Sequence, residues 1–142
     1  MARISQVAIT GTSPAAASTV AGATQEGLGE AIALTIVATL AGATGGTLDV
    51  YLQTSYDDGT TWYDMAHFPQ LAAAAASSIR VWHVIRQEPL STLTTIGSGT
   101  TPALAANSVL NHWGNKIRAL YVAGAATSAG AAVNIKLAAF YA

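Results

Sequence analysis

The sequence predicts an all-β protein, an antiparallel β-sandwich. Three observations carry this. Apolar residues recur at every second position in Ala31–Leu40, Leu48–Thr54 and Ile79–Arg86, the spacing of a strand whose side chains alternate between faces. Breaks rich in Gly, such as 41–46 and 124–130, separate such segments at near-regular intervals, as in sandwiches with short strands. No stretch of ten residues shows the 3.6-residue period of an amphipathic helix. A jelly-roll-like or Ig-like arrangement is expected, with an extended N-terminal arm over residues 1–29 and the sandwich over 30–142.

Residues 1–29 hold Gly11-Thr12-Ser13-Pro14 and Gly22, Gly27 and Gly29, and only Val7 and Ile9 hint at a strand. Ordering each residue costs roughly 1–2 kcal/mol, and this segment has little apolar surface to offset it, so it reads as an arm. From Ala31 the alternation is clear. Ile32, Leu34, Ile36, Ala38 and Leu40 fall on one face, and the small side chains of Ala31, Ala33, Thr35, Val37 and Thr39 on the other. The next strand turns Leu48, Val50 and Leu52 inward, and its partner runs from about Trp62 to Phe68, ending at Pro69. The alanine-rich run 71–78 fits a helical turn or a loop. Ile79, Val81, His83 and Ile85 oppose Arg80, Trp82, Val84 and Arg86. Residues 88–111 read as a long loop with room for one short strand and with Leu104 and Leu110 as anchors, and Trp113 as a plug before the strand at Ile117. Ile117–Ala123 and Ala131–Tyr141 form a closing hairpin, with Val133, Ile135, Leu137 and Ala139 on one face.

The most specific local signal is Ser55-Tyr56-Asp57-Asp58-Gly59-Thr60-Thr61-Trp62, which matches the S-x-D-x-G-x-T-W pattern of an Asp-box turn. Gly59 reaches positive φ without steric cost, and Asp58 tolerates it better than most residues. The Asp57 carboxylate is placed to accept from loop N–H groups, and Thr61 to help close the loop. Trp62 would cover the hairpin end. Ser55, Asp57, Asp58, Gly59, Thr61 and Trp62 are therefore expected to be structural. Asp-boxes recur in sialidase propellers, but a single copy in 142 residues cannot build a propeller of four-stranded blades.

Composition narrows the function classes. Only 9% of residues are charged while 51% are hydrophobic, against about 25% charged in an average domain. A surface so poor in charge is expected to be covered by other subunits. Net charge is −1 and the six Lys and Arg residues are scattered, so no basic stripe for nucleic acid exists. No apolar stretch is long enough for a membrane-spanning helix, and the first residues lack the apolar core of a signal peptide. A product assembling in the cytoplasm is the expectation. The absence of cysteine removes disulfide and thiolate chemistry.

No catalytic constellation emerges. His67, His83 and His112 are the only imidazoles. A metal shared by His67 and His83 is conceivable, but no ligand spacing supports it. Gly97-Ser98-Gly99 is not a nucleophile elbow, and no phosphate-cradling Gly-rich motif occurs. Neither an enzyme nor a cofactor is expected. Tyr51, Tyr56, Trp62, Tyr63 and Trp82 remain as a possible aromatic platform, since Tyr and Trp combine large area with one polar tip.

The segment Thr47–Ser55 with the following turn and Trp62–Phe68, together with Trp113–Val122 and the closing strand, resembles small structural proteins of tailed-phage virions. The resemblance covers about a third of the chain and none of residues 1–46. It implies a β-sandwich that decorates or cements a capsid, or sits in the neck or tail. The expected function is therefore a virion structural protein, a capsid decoration subunit acting through non-covalent contacts. Its partners would be the major capsid protein, other virion proteins and further copies of itself, without nucleic acid or membrane. Candidate interface residues are Ala31, Ala33, Thr35, Val37, Thr39, Tyr51, Tyr63 and Trp82, with the arm threading across neighbours. The alternative is a tail, neck or fibre module that recognises a host glycan through exposed Tyr and Trp.

Overall fold

A computed structural model describes residues 3–12, 19–41, 46–72, 78–86, 96–124 and 132–142. These form nine strands and no helix: β1 (Arg3–Thr12), β2 (Thr19–Gln25), β3 (Ala31–Ala41), β4 (Leu48–Ser55), β5 (Tyr63–His67), β6 (Ser78–Ile85), β7 (Ser108–Val109), β8 (Lys116–Ala123) and β9 (Ala132–Tyr141). The first sheet has the order β1-β9-β3-β6 and the second β2-β8-β4-β5-β7, with every strand pairing antiparallel. The protein is a β-sandwich.

The core is where the inward faces meet. Leu34, Ile36 and Ala38 of β3 and Val133, Ile135, Leu137 and Ala139 of β9 pack against Val50 and Leu52 of β4 and Ile117, Ala119 and Tyr121 of β8. The period-two pattern in each segment is the cause, because it puts one apolar row per strand toward the opposite sheet. Leu28, Phe68 and Trp113 are buried at the margins of this cluster.

Residues 1–29 differ from the expected arm wherever the structure describes them. Residues 3–12 pair with β9 along a continuous ladder from Arg3↔Tyr141 to Thr12↔Ala132, and β2 pairs with β8. The arm was inferred from the segment's own apolar content. What offsets the ordering cost instead is backbone hydrogen bonding to strands far away in sequence, whose edges would otherwise be open. The division at 29/30 thus falls between strands of one sandwich, not between an arm and a domain.

Two bulges re-aim side chains. Ala31 and Ala33 sit opposite Tyr141 and Phe140, so Ile32 is the extra residue and the alternation shifts. Ala31 consequently enters the core (1% exposed), while Ile32, expected inside, is half exposed. In β5 the register jumps between Leu52↔Ala66 and Gln53↔Asp64. Met65 and Ala66 both face the core, and Asp64 is carried round to the outer face beside Gln53.

The outer face of the second sheet is roofed by residues 96–110. Leu104 packs on Tyr51 and Leu120, with Ile96, Leu110 and Val122 around them, and β7 adds a short edge to β5. The anchoring expected of Leu104 and Leu110 is seen. Tyr51 and Gln53, expected to face outward, do so but are buried beneath this roof. In the run 71–78, Leu71 forms an isolated bridge with Leu48 and Ser78 begins β6. Residues 73–77, 88–95 and most of the turn 124–130 lie outside the described residues.

Candidate functional site

The turn after β4 is closed by its own groups. The Ser55 hydroxyl donates to Asp57 Oδ1 (2.9 Å) and accepts from the Gly59 N–H (2.8 Å). Asp57 Oδ1 also accepts from the Thr61 N–H at 2.7 Å. Asp58 and Gly59 take φ of 60° and 93°, the left-handed region that glycine reaches freely and Asp tolerates. Trp62 is buried and donates its indole N–H to the Gly59 carbonyl at 2.9 Å. Hydrogen bonds from Thr61 and then Ser55 hold the Asp57 carboxyl down at about 2, because they favour its charged form. All six turn residues serve the hairpin. Lys116 Nζ ties this turn to the β2 end through Asp58 and Glu26, both at 2.9 Å.

Behind the turn runs a buried polar chain. The Arg118 guanidinium lies 4.4 Å over the Trp62 ring and donates to Gln53 Oε1 at 3.1 and 2.9 Å. The Gln53 amide donates to Asp64 Oδ1 at 3.0 Å. Asp64 is fully buried, and its Oδ2 accepts the N–H groups of Gly97 (3.0 Å), Ala103 (2.8 Å) and Leu104 (3.1 Å). One carboxylate therefore pins both ends of the 97–104 loop to the sheet. Burying it is tolerable because these donors replace its water. His67 pins the same loop a second time, since Nδ1 meets the Leu104 carbonyl (2.7 Å) and Nε2 meets Asp49 (3.1 Å). Tyr51 stacks on His67 with ring centroids 3.8 Å apart. Burial first, then Asp49 and Asp64, push the Tyr51 hydroxyl up to about 12. These groups bond to one another and to the loop, which marks the chain as structural.

The sandwich separates His67 from His83. The first belongs to the second sheet, whereas His83 on β6 meets the Thr35 hydroxyl at 2.9 Å on the first. Among the described residues no cluster of three or more His, Asp or Glu is placed to hold a metal.

Two surfaces remain. One is a cleft of about 500 Å³ lined by Tyr56, Asp57, Tyr63, Ile96 and His112. The other is the outer face of the first sheet, where Ile79 (67% exposed), Val81 (62%) and Ile85 (58%) stand in a row on β6. Trp82 and Val84 point inward from the same strand, Trp82 meeting Phe68 edge-on at 4.8 Å. Among the described strands β6 pairs with β3 alone, on one of its two edges.

The candidate interface residues divide accordingly. Thr35, Val37 and Thr39 lie on the outer face next to the β6 row, opposite His83, Val81 and Ile79. Ala31, Ala33 and Tyr51 are covered by this chain's own residues and Trp82 faces the core, so these four present little surface to a partner. Tyr63 belongs to the cleft. The exposed Ile79–Val81–Ile85 row and the pairing of His112 with Tyr56 are not among the interface candidates that the sequence offers. A signal for the row was there: apolar residues on both faces of β6, with the bulkier Trp82 selecting the inner one. Nothing in the spacing pairs His112 with Tyr56. Compared with known proteins, the chain matches no family model, no curated protein and no solved structure.

Proposed function

We propose that the protein is a virion structural subunit, a capsid decoration protein that seats on its particle and on further copies of itself through the outer face of the first sheet. The carrying observation is the exposed row Ile79, Val81 and Ile85, joined by the half-exposed Ile32, on the strand that ends its sheet among the described residues. A long apolar edge is what proteins otherwise blunt with charge or cover, and exposed apolar patches mark interaction surfaces. Composition supports the same reading, since 9% charged residues leave little to keep copies apart. So does the resemblance to phage structural proteins in the β4–β5 hairpin and around Trp113.

The mechanism is mechanical. Covering about 400 Å² of apolar surface yields on the order of 10 kcal/mol at about 25 cal/mol per Å², against association costs of similar size. Each contact is then modest, and repetition over a shell supplies the strength. β1 and β2 are committed to the chain's own sheets, so the seating is assigned to the sheet face and not to a threading arm.

The test places a charge in the row. Val81→Lys is expected to leave the circular dichroism spectrum unchanged, to lower the mass of the purified protein in solution, and to remove it from particles that sediment with the unaltered protein. Full occupancy of the variant on particles refutes the reading.

A further inference from the structure

The cleft on the second sheet is built for a ligand, and its geometry points to a binding site for a neutral sugar, a disaccharide-sized stretch laid across Tyr56 and His112 with Asp57 accepting from its hydroxyls. The Tyr56 hydroxyl is hydrogen-bonded to His112 Nδ1. That oxygen lies in the plane of its phenol ring and that nitrogen in the plane of its imidazole. A hydrogen bond between them therefore rules out face-to-face stacking, which needs wider plane separation. With ring planes only 17° apart and centroids 6.0 Å apart, the two rings lie end to end as one flat strip. Tyr63 rises beside it, its ring tilted 49° to Tyr56 at 6.2 Å, and Ile96 completes the lining.

A flat aromatic strip next to a carboxylate matches the two-sided chemistry of a pyranose. The sugar's C–H face packs on the rings and its equatorial hydroxyls reach sideways to the acceptor. Asp57 Oδ1 already accepts from Ser55 and Thr61, yet a carboxylate has about four lone-pair positions, leaving capacity for a ligand hydroxyl. The Asp57 carboxylate repels phosphate and acidic sugars on one side while the Arg86 guanidinium acts on Tyr56 from another, a balance of charge that suits a neutral ligand. A cation would favour ring faces converging on one point, and Tyr63, tilted 49° to Tyr56, supplies one such pair, which makes choline the competing ligand in the test. The cleft volume falls within the usual range for small-ligand sites.

The strip is held from behind, which is what a pre-formed site needs. A Cβ at Gly114 would lie 2.0 Å from the Ser55 carbonyl oxygen, so only glycine lets residues 112–114 press against 55–56 and bring His112 beside Tyr56. The Gly114 N–H donates to the buried Thr54 hydroxyl at 2.8 Å, and the buried Trp113 indole donates to the Leu28 carbonyl at 3.1 Å. Tyr56 itself is 55% exposed, a large ring held in place without being used in the core.

The experiment is saturation-transfer NMR on the full chain with lactose, maltose, cellobiose and N,N′-diacetylchitobiose as separate probes, and choline as the cationic control. At least one disaccharide is expected to receive saturation at its ring C–H protons. Tyr56→Ala and His112→Ala should each weaken it at least about tenfold, on the scale measured for losing one stacked ring. Tyr56→Phe keeps the ring but not the bond to His112, and should give an intermediate loss. An unchanged backbone amide spectrum away from the turn establishes that each variant is folded. Saturation of none of the four sugars, saturation of choline alone, or sugar binding indifferent to Tyr56→Ala each overturns the inference. The site is independent of the seating face: Val81→Lys should bind sugar as the unaltered protein does.

Discussion

Replacing Asp64 with asparagine probes the roof of the second sheet with a change of one atom. Oδ2 accepts three backbone N–H groups and Oδ1 accepts the Gln53 amide. An asparagine oriented with its NH₂ toward Gly97, Ala103 and Leu104 would set a donor against three donors. The opposite orientation confronts the Gln53 NH₂, and Gln53 cannot turn because its oxygen is held by Arg118 at 3.1 and 2.9 Å. In that better orientation, three charge-assisted bonds become neutral ones at roughly 1 kcal/mol each, and one buried donor pair is left facing each other at about 1–3 kcal/mol. Asp64→Asn is therefore expected to destabilise the protein by about 4–6 kcal/mol. Urea unfolding should show a lower midpoint at unchanged slope, and the melting temperature should fall by roughly 10–15 °C. Hydrogen exchange should speed up first at the amides of Gly97, Ala103 and Leu104. A loss below about 1 kcal/mol refutes the claim that this carboxylate secures the loop.

Gly114→Ala should cost about 3 kcal/mol or more, read by urea unfolding, because its Cβ meets the Ser55 backbone at 2.0 Å and neither strand end has room to yield. The Asp57 carboxyl, depressed to about 2 from 3.8, contributes stability that is complete above about pH 4 and disappears as pH falls through 2. A ¹³C carboxyl titration should give that low midpoint, and Ser55→Ala should raise it. Tyr51, raised to about 12 from 10, binds its proton in the folded state where the unfolded chain has lost it. Stability is thus complete below pH 10 and falls between pH 10 and 12. Tyrosinate absorbance should show a late-titrating component that Tyr51→Phe removes.

Legibility followed the locality of the forces. β3, β4, β6, β8 and β9 are readable because a two-residue period is enforced by burial on one face, and the 55–62 turn because its partners lie within four residues. The closing hairpin expected of β8 and β9 does not form, because the two strands belong to opposite sheets. The arm at 1–29 was misread because pairing with β9 and β8 is a property of distant edges, invisible in a segment weighed alone. Ile32 was placed inside because a bulge leaves no compositional trace when the residues around it are all small or apolar. Tyr51 and Gln53 carry the same alternation as any solvent-facing positions. Only the chain's return over 96–110 decides that they are covered. The cleft depends on two segments, 55–63 and 96–112, that no local pattern brings together.

The order of the strands also governs how the chain reaches its native state. β4 and β5 are the one sequence-adjacent pair of described strands that hydrogen-bond to each other. β9 supplies the bridge between β1 and β3 in the first sheet, so that sheet cannot close until residue 141 has left the ribosome. Pairings that span most of the chain make for slow folding. Nascent molecules accordingly wait with β1 unmated and with β3 paired to β6 on one edge only, and crowded synthesis at low temperature or with a chaperone should yield more native protein than rapid expression.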